Sequence, residues 1–264
     1  MRYNRVLVKL SGAAMAGDRE CGFDPDSLNH IADEVLRLHN NNIEVAIVVG
    51  GGNIFRGELG EKWGIERAEA DNIGMIATVA NSLMLRGVLT AKSNVDVRAM
   101  TAIPIQTVAE PFIRLRAVRH LELGRMIILA AGTGNPYVTT DYPAVQRALE
   151  LRADAILAAK NGTDGIYTSD PRRNPDARRY RNVEYNSVIR RNLRALDQSA
   201  VLLARDHELP IHVFNFDEPG LMYRICDGED VGTLISSAPD ALVEDEALET
   251  ALERHTMRVA MPAD

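Results

Sequence analysis

Lys9 stands in an apolar run, Val6-Leu7-Val8-Lys9-Leu10, just ahead of Ser11-Gly12. An ammonium is costly to bury. A lysine in such a run either snorkels from an edge strand or meets an anion. Its place beside a loop of small residues favours the anion, with Lys9 neutralising charge on a phosphoryl group in transfer. Two further loops repeat the arrangement. Gly50-Gly51-Gly52-Asn53 follows the apolar residues 45–49, with Arg56 close behind; its guanidinium fork suits phosphate, although a plain surface arginine would look the same. Gly132-Thr133-Gly134-Asn135-Pro136 follows residues 126–131 and leads to Thr139-Thr140-Asp141, which could cap a helix, contact a ligand, or do both. Glycine lets backbone N–H groups approach a phosphate closely, and helix N-termini favour anions. One such loop is equally a tight turn; three after three strands, each beside charged or hydroxyl groups, read as a phosphate cradle. Asp197 lies on a helical pattern and by itself reads as part of a solvated face.

Other chemistries lack their signatures. There is no G-x-x-x-x-G-K-[ST], and G-x-G-x-x-G fails because Phe55 and Tyr137 occupy the third glycine position. No C-x-x-C or H-E-x-x-H suggests a protein-held metal, and no G-x-S-x-G suggests acyl transfer.

The loops need strands that end together. Strands are expected over residues 6–10, 45–49, 126–131, 155–158 and 211–214. Helices are expected over 24–39, 72–91, 142–151 and, largely, 187–204. Asp24 and Pro25 suit the N-cap and first position of the first helix. Apolar strands alternating with helices predict an α/β fold with a mainly parallel sheet covered on both faces, whose loops at the carboxyl ends of the strands line a ligand crevice. Residues 170–185, polar and rich in Arg and Pro, suggest a surface excursion.

The 264 residues, 46% hydrophobic and 25% charged, exclude global disorder. The net charge of −7 argues against a protein that mainly binds nucleic acid. Residues 172–194 hold 8 arginines against 2 acids, and a solvated surface or subunit contact explains them better than a nucleic acid does. Most of the acidity lies in 238–264, with 7 acids and 2 bases. The 2 cysteines, far apart, read as free thiols in a reducing cytoplasm. No signal-peptide core or unbroken apolar run of membrane length appears, so a cytoplasmic location is expected.

From about Arg5 to Ser236 the chain resembles the bacterial uridylate kinases of the amino-acid-kinase superfamily. Val8-Lys9-Leu10-Ser11-Gly12, Gly50 to Gly57, Asp71 with Gly74-Met75, Ala131 to Pro136 and Thr139-Thr140-Asp141 carry the resemblance. So do Lys160-Asn161-Gly162-Thr163-Asp164-Gly165-Ile166-Tyr167, Asp170-Pro171 and Ala204-Arg205-Asp206. Their order and spacing are highly specific. The resemblance implies a three-layer αβα sandwich, conversion of UMP to UDP with ATP and Mg²⁺, and a homo-oligomer, usually a hexamer. It implies GTP as activator and UTP as inhibitor. Carried over by position, Lys9, Asp141 and Asp197 form the catalytic set. Lys9, Leu10, Ser11, Gly12, Gly52, Arg56, Asn161, Tyr167 and Asp170 hold ATP. Gly51, Asp71, Thr133, Gly134, Asn135, Pro136, Tyr137, Val138, Thr139 and Thr140 hold UMP.

Three features depart from the family pattern. Ala13 stands where the family has glutamate, Gly17 to Phe23 differs from the aligned activator region, and the acidic segment runs past the usual end. The chain is therefore divided into a catalytic domain, 1–237, and an acidic C-terminal extension, 238–264. Residues 243–255 have the composition of a helix that could fray or, through Leu248 and Leu252, dock on a neighbouring subunit. Two other functions share these features. One is a paralogue phosphorylating another small acid or phosphate ester; the other is a nucleotide-sensing regulatory protein with weak turnover.

Overall fold

In the computed structural model, which describes residues 1–193 and 195–243, strands and helices alternate. The first half contains β1 (Arg5–Leu10), α1 (Ala13–Ala16), α2 (Pro25–Asn40), β2 (Glu44–Val49), α3 (Gly57–Lys62), α4 (Arg67–Lys92), β3 (Val97–Thr101), β4 (Glu110–Pro111), α5 (Arg114–Glu122) and β5 (Met126–Ala130). The second contains α6 (Asp141–Leu151), β6 (Ala155–Lys160), β7 (Tyr180–Glu184), α7 (Tyr185–Arg190), α8 (Gln198–Asp206), β8 (Ile211–Asn215), α9 (Leu221–Asp227), β9 (Thr233–Ser236) and β10 (Ala241–Leu242).

The strands form one sheet in the order β10-β7-β9-β8-β6-β1-β2-β5-β3-β4. Among the described strands, the β8–β9 and β7–β10 pairings are antiparallel and the others parallel. β1 lies between β6 and β2, parallel to both. Side chains of a strand alternate between its faces. Val6, Val8 and Leu10 thus enter one core, with α2, α9 and the second half of α4, while Leu7 enters the other, with α5, α6, α7 and α8. This is the expected three-layer sandwich. Helix α2 starts as its sequence requires: the Asp24 carboxylate accepts from the Ser27 N–H at 2.9 Å, and Pro25 opens the helix.

Four features differ from the sequence reading. The helix expected over 187–204 is two, α7 and α8; Asn192, with φ of 51°, turns the chain between them. Residues 180–184, inside the expected excursion, form β7, with Tyr180 and Val183 buried. By length and mean composition α4 could cross a membrane, a property hidden because polar residues interrupt its apolar runs. Yet its Thr78, Asn81 and Ser82 are buried beside Leu85 and Leu89, so one face packs on the protein's own core. The sheet also continues past Ser237. β10 pairs with β7, Asn182 donates to the Ala238 and Pro239 carbonyls, and Asp240 accepts from the Glu184 N–H at 2.8 Å. The helix expected over 243–255 lies, beyond Val243, outside the described residues. Cys21 is exposed and Cys226 buried, both free.

Candidate active site

The pleat of β1 sets the first charge. Lys9 shares the face of Leu7, which is covered by α6, and Asp141 is the first residue of α6. Lys9 Nζ lies 2.6 Å from Asp141 Oδ1, and Lys9 is only 7% exposed. Burial pushes the Asp141 pKa up. The Lys9 ammonium, the Asp197 N–H donating to Oδ2 at 3.0 Å, and Lys160 outweigh burial and hold the carboxyl below the ordinary range.

Lys160 closes β6 on the same face as Ile156 and Ala158. Burial pushes its pKa down and the nearby Lys9 charge pushes it further, with Asp141 and Asp197 opposing. Two ammonium groups and two carboxylates therefore meet at the carboxyl ends of adjacent strands. Asp197 is the N-cap residue of α8, and its side chain makes no cap hydrogen bond; it accepts a short hydrogen bond from the Thr139 hydroxyl instead. The same hydroxyl oxygen accepts from the Asp141 N–H at 3.2 Å. Thr139-Thr140-Asp141 thus starts a helix and ties the charged cluster together, while Asp197 is no part of a solvated helix face.

The glycine loops meet beside this cluster. The Gly50 N–H donates to the Leu10 carbonyl at 3.0 Å, and a Cβ on Gly12 would lie 2.6 Å from Gly52 N. Only glycine permits that approach. The Ser11 hydroxyl oxygen accepts from the Ala14 N–H at 3.2 Å. The Leu10 side chain is fully buried in the core, so only its backbone faces the loop. Exposed Arg56 donates through Nε to the Gly52 carbonyl at 3.0 Å.

One cleft opens on each side. The first is lined by Gly51, Gly52, Phe55, Asp71, Gly74, Met75, Thr78, Gly132, Thr133, Asn135, Val138, Thr139 and Thr140. Gly134, Pro136 and Tyr137 stay outside its lining. Gly134 turns against Ala102, and exposed Tyr137 donates its N–H to Asp71 Oδ2 at 2.7 Å. Asp71 also accepts from Arg67 Nε at 3.0 Å.

The second cleft, of about 640 Å³, is lined by Lys160, Thr163, Tyr167, Asp170, Arg172, Arg173, Arg191 and Asn192, among others. Burial and a 2.6 Å hydrogen bond to Asp164 push the Tyr167 pKa up. Hydrogen bonds from Arg172 hold the Asp170 carboxyl below its usual range. Asn161 lies outside this lining; its Nδ2 donates to Asp217 Oδ1 at 2.8 Å. A further opening, lined by Asp141, Lys160 and Asp197, shares Lys160 and Asn192 with the second cleft and so links that cleft to the charged cluster. Among the described residues no group of three or more His, Cys, Asp and Glu is placed to hold a metal.

The sequence reading gave no role to Lys160, which it named only within the resemblance, nor to Asn81, which bonds the Gly50 carbonyl, nor to Asp217. Lys160 carries the same signal as Lys9, a lysine at the end of an apolar strand. Asn81 and Asp217 carry none, since each matters through contacts with segments distant in sequence.

The model of the amino acid kinase family matches residues 4–215. A uridylate kinase of Frankia casuarinae is 58% identical over 239 residues, 90% of this chain and 92% of that protein. The crystal structure of UMP kinase from Bacillus anthracis superposes with a TM-score of 0.91 at 59% identity, covering 92% of this chain and all of that one. UMP kinase from Ureaplasma parvum superposes with a TM-score of 0.83 at 33% identity, covering 89% of this chain and all of the other.

Proposed function

The chain belongs to the amino acid kinase family, within it to the uridylate kinases, and on that premise we infer that it transfers the γ-phosphoryl group of ATP to UMP, giving UDP and ADP. The observation that carries the reading is the charged cluster of Lys9, Asp141, Lys160 and Asp197, which the second cleft borders at Lys160 and the first at Thr139, the residue bonded to Asp197. The phosphate of UMP is already an anionic nucleophile, so the reaction needs no general base. What remains is to align two anions and neutralise charge as the phosphoryl group passes.

We assign that neutralisation to Lys9 and Lys160, with Asp141 orienting the Lys9 ammonium and Asp197 fixing Thr139. UMP takes the cleft of Asp71, Thr133, Asn135, Thr139 and Thr140, with Gly51 as its floor. Half-buried Gly134 and Pro136 and exposed Tyr137 shape that loop from behind. ATP takes the cleft of Tyr167 and Asp170, its phosphates over Ser11, Gly12, Gly52 and Arg56. Mg²⁺ enters as the counter-ion of ATP, since magnesium is usually held by substrate phosphates with one or two carboxylates. Asp141 and Asp197 are hard oxygen donors of that kind, and the ion would offset phosphate charge.

Making UDP places the enzyme in pyrimidine nucleotide biosynthesis, in the cytoplasm. Ile73, Ile76 and Met84 are exposed at helical spacing on the outer side of α4. An apolar stripe of this kind marks an interface, and we assign it to a second copy in a homo-oligomer, up to a hexamer. ADP release measured with UMP, CMP and small carboxylates tests the activity. Turnover should follow UMP, and ADP release that does not depend on UMP overturns the reading. Repeating the assay with GTP and with UTP tests activation by the first and inhibition by the second.

A further inference from the structure

We propose that Asp217 is a positioning residue for the ATP side of the site, holding the turn that carries Lys160 and Asn161. Asp217 lies two residues past β8 and is exposed. β8 runs parallel to β6, with Asn215 opposite Lys160. Past that last register pair the strands would part. Instead the two chains stay joined: the Phe216 N–H donates to the Lys160 carbonyl at 2.7 Å. Asp217 then accepts from Asn161 Nδ2 through Oδ1 and from the Gly162 N–H through Oδ2, each at 2.8 Å. Its own N–H donates to Asn215 Oδ1 at 3.1 Å, which orients the carboxylate.

The turn needs such a clamp. Gly162 has φ of +68°, a left-handed conformation, and glycine is the residue most costly to order. The carboxylate chelates two successive N–H donors of the turn, and hydrogen bonds to a charged acceptor are the stronger kind. Lys160 directly precedes the clamped residues, is held itself by the Phe216 N–H, and borders the second cleft and the opening beside Asp141. Asp217 takes one N–H of the Asn161 amide, so it orients that side chain as well as the turn. Support of this kind fixes the geometry of groups that touch the substrate.

The inference rests on the UMP kinase reading, so the wild-type chain is assayed first. Absence of UMP-dependent ADP release would remove that reading and leave the role of Asp217 without a reaction. With an active wild type, D217A should raise the KM for ATP about tenfold and leave the KM for UMP within about twofold. Its melting temperature should stay within about 2 °C, as for an exposed substitution. D217N should restore most of the affinity, because its amide oxygen can still accept from Gly162 while the Asn161 amide turns over to pair with its nitrogen. An unchanged KM for ATP in D217A overturns the proposal. So does a parallel rise in both KM values with a lowered melting temperature, which marks general loosening. If D217A precipitates, D217S carries the same expectations.

Discussion

Lys9 and Asp141 are a buried ion pair held at a strand end and a helix start, 2.6 Å apart. Breaking such a pair leaves one uncompensated charge. Lys9→Ala should lower kcat by about 10²-fold or more, the scale of a lost charge-stabilising donor, while UMP still binds. Calorimetric titration with UMP beside a turnover assay checks both, and unchanged turnover removes Lys9 from the mechanism. The pair also sets a pH dependence. The folded pKa of Asp141 is depressed, so its contribution to stability is present above the ordinary carboxylate pKa of about 3.9. It is lost as pH falls through the depressed value. In Lys9→Ala the largest charge opposing burial is gone, so this acid-dependent loss of stability should shrink. His212 adds to acid sensitivity. Burial pushes its pKa down to about 3, and its Nε2 lies 2.9 Å from the Tyr3 hydroxyl. The unfolded chain takes up this proton near pH 6.5, as an ordinary histidine does, whereas the fold does not. Stability should therefore fall as pH drops from about 6.5 toward about 3, followed by denaturant titration at stepped pH.

Helix α4 shows how one element serves two tasks. Asp71, Thr78 and Asn81 recur at helical spacing on the side facing the loops. The Thr78 hydroxyl oxygen accepts from the Ala131 N–H at 2.7 Å. Asn81 Nδ2 donates to the Gly50 carbonyl at 2.6 Å and pairs with the buried Asn53 amide. One rigid helix thus registers the second and third glycine loops against each other. Asn81→Leu leaves buried polar groups unpaired and should cost about 1–3 kcal/mol, with a fall in turnover because Gly50 loses its anchor. Leu85→Ala, deeper in the same helix and fully buried, should cost more, about 2–5 kcal/mol, yet leave kcat near wild type. Urea unfolding set against turnover separates the two; equal losses of turnover would deny α4 its positioning role. The break between α7 and α8 belongs to this scale as well. It frees Asp197 from a helix face and points it toward Thr139.

Across the whole molecule, the parallel sheet brings β1, β2, β5 and β6 to a common edge, where all the proposed ligand contacts lie. The far edge is closed by residues after Ser237, and Asp240 binds Arg191 at 3.2 Å. Shortening the chain should therefore be tolerated after Val243 but not after Ser237, where β10 and the Asp240 contacts are lost. Thermal melting of the two truncations checks this. The outer stripe of α4 carries the assembly prediction. Ile76, half exposed at 50%, replaced by Glu should lower the mass seen by light scattering; an unchanged mass would place the interface elsewhere.

What the sequence determined by itself was local and repetitive. Short continuous apolar runs and helical apolar patterns marked the sheet and its covering layers, and three loops of small residues marked the edge assigned to phosphates. Lys9 was legible because a lysine in an apolar run contradicts its surroundings. Asp141 was legible as a cap or ligand contact after the third loop, and Asp197 only through resemblance. Tertiary structure alone decided which charges meet: Lys9, Asp141, Lys160 and Asp197 come from four segments, and their pairing depends on strand register and helix placement. It decided that Tyr180 to Glu184 is a strand, because a short, half-polar segment becomes one only when neighbours complete its hydrogen bonds. It decided the roles of Asn81 and Asp217 for the same reason. A polar side chain shows its purpose only beside the distant backbone groups it satisfies, and local pattern carries no record of them.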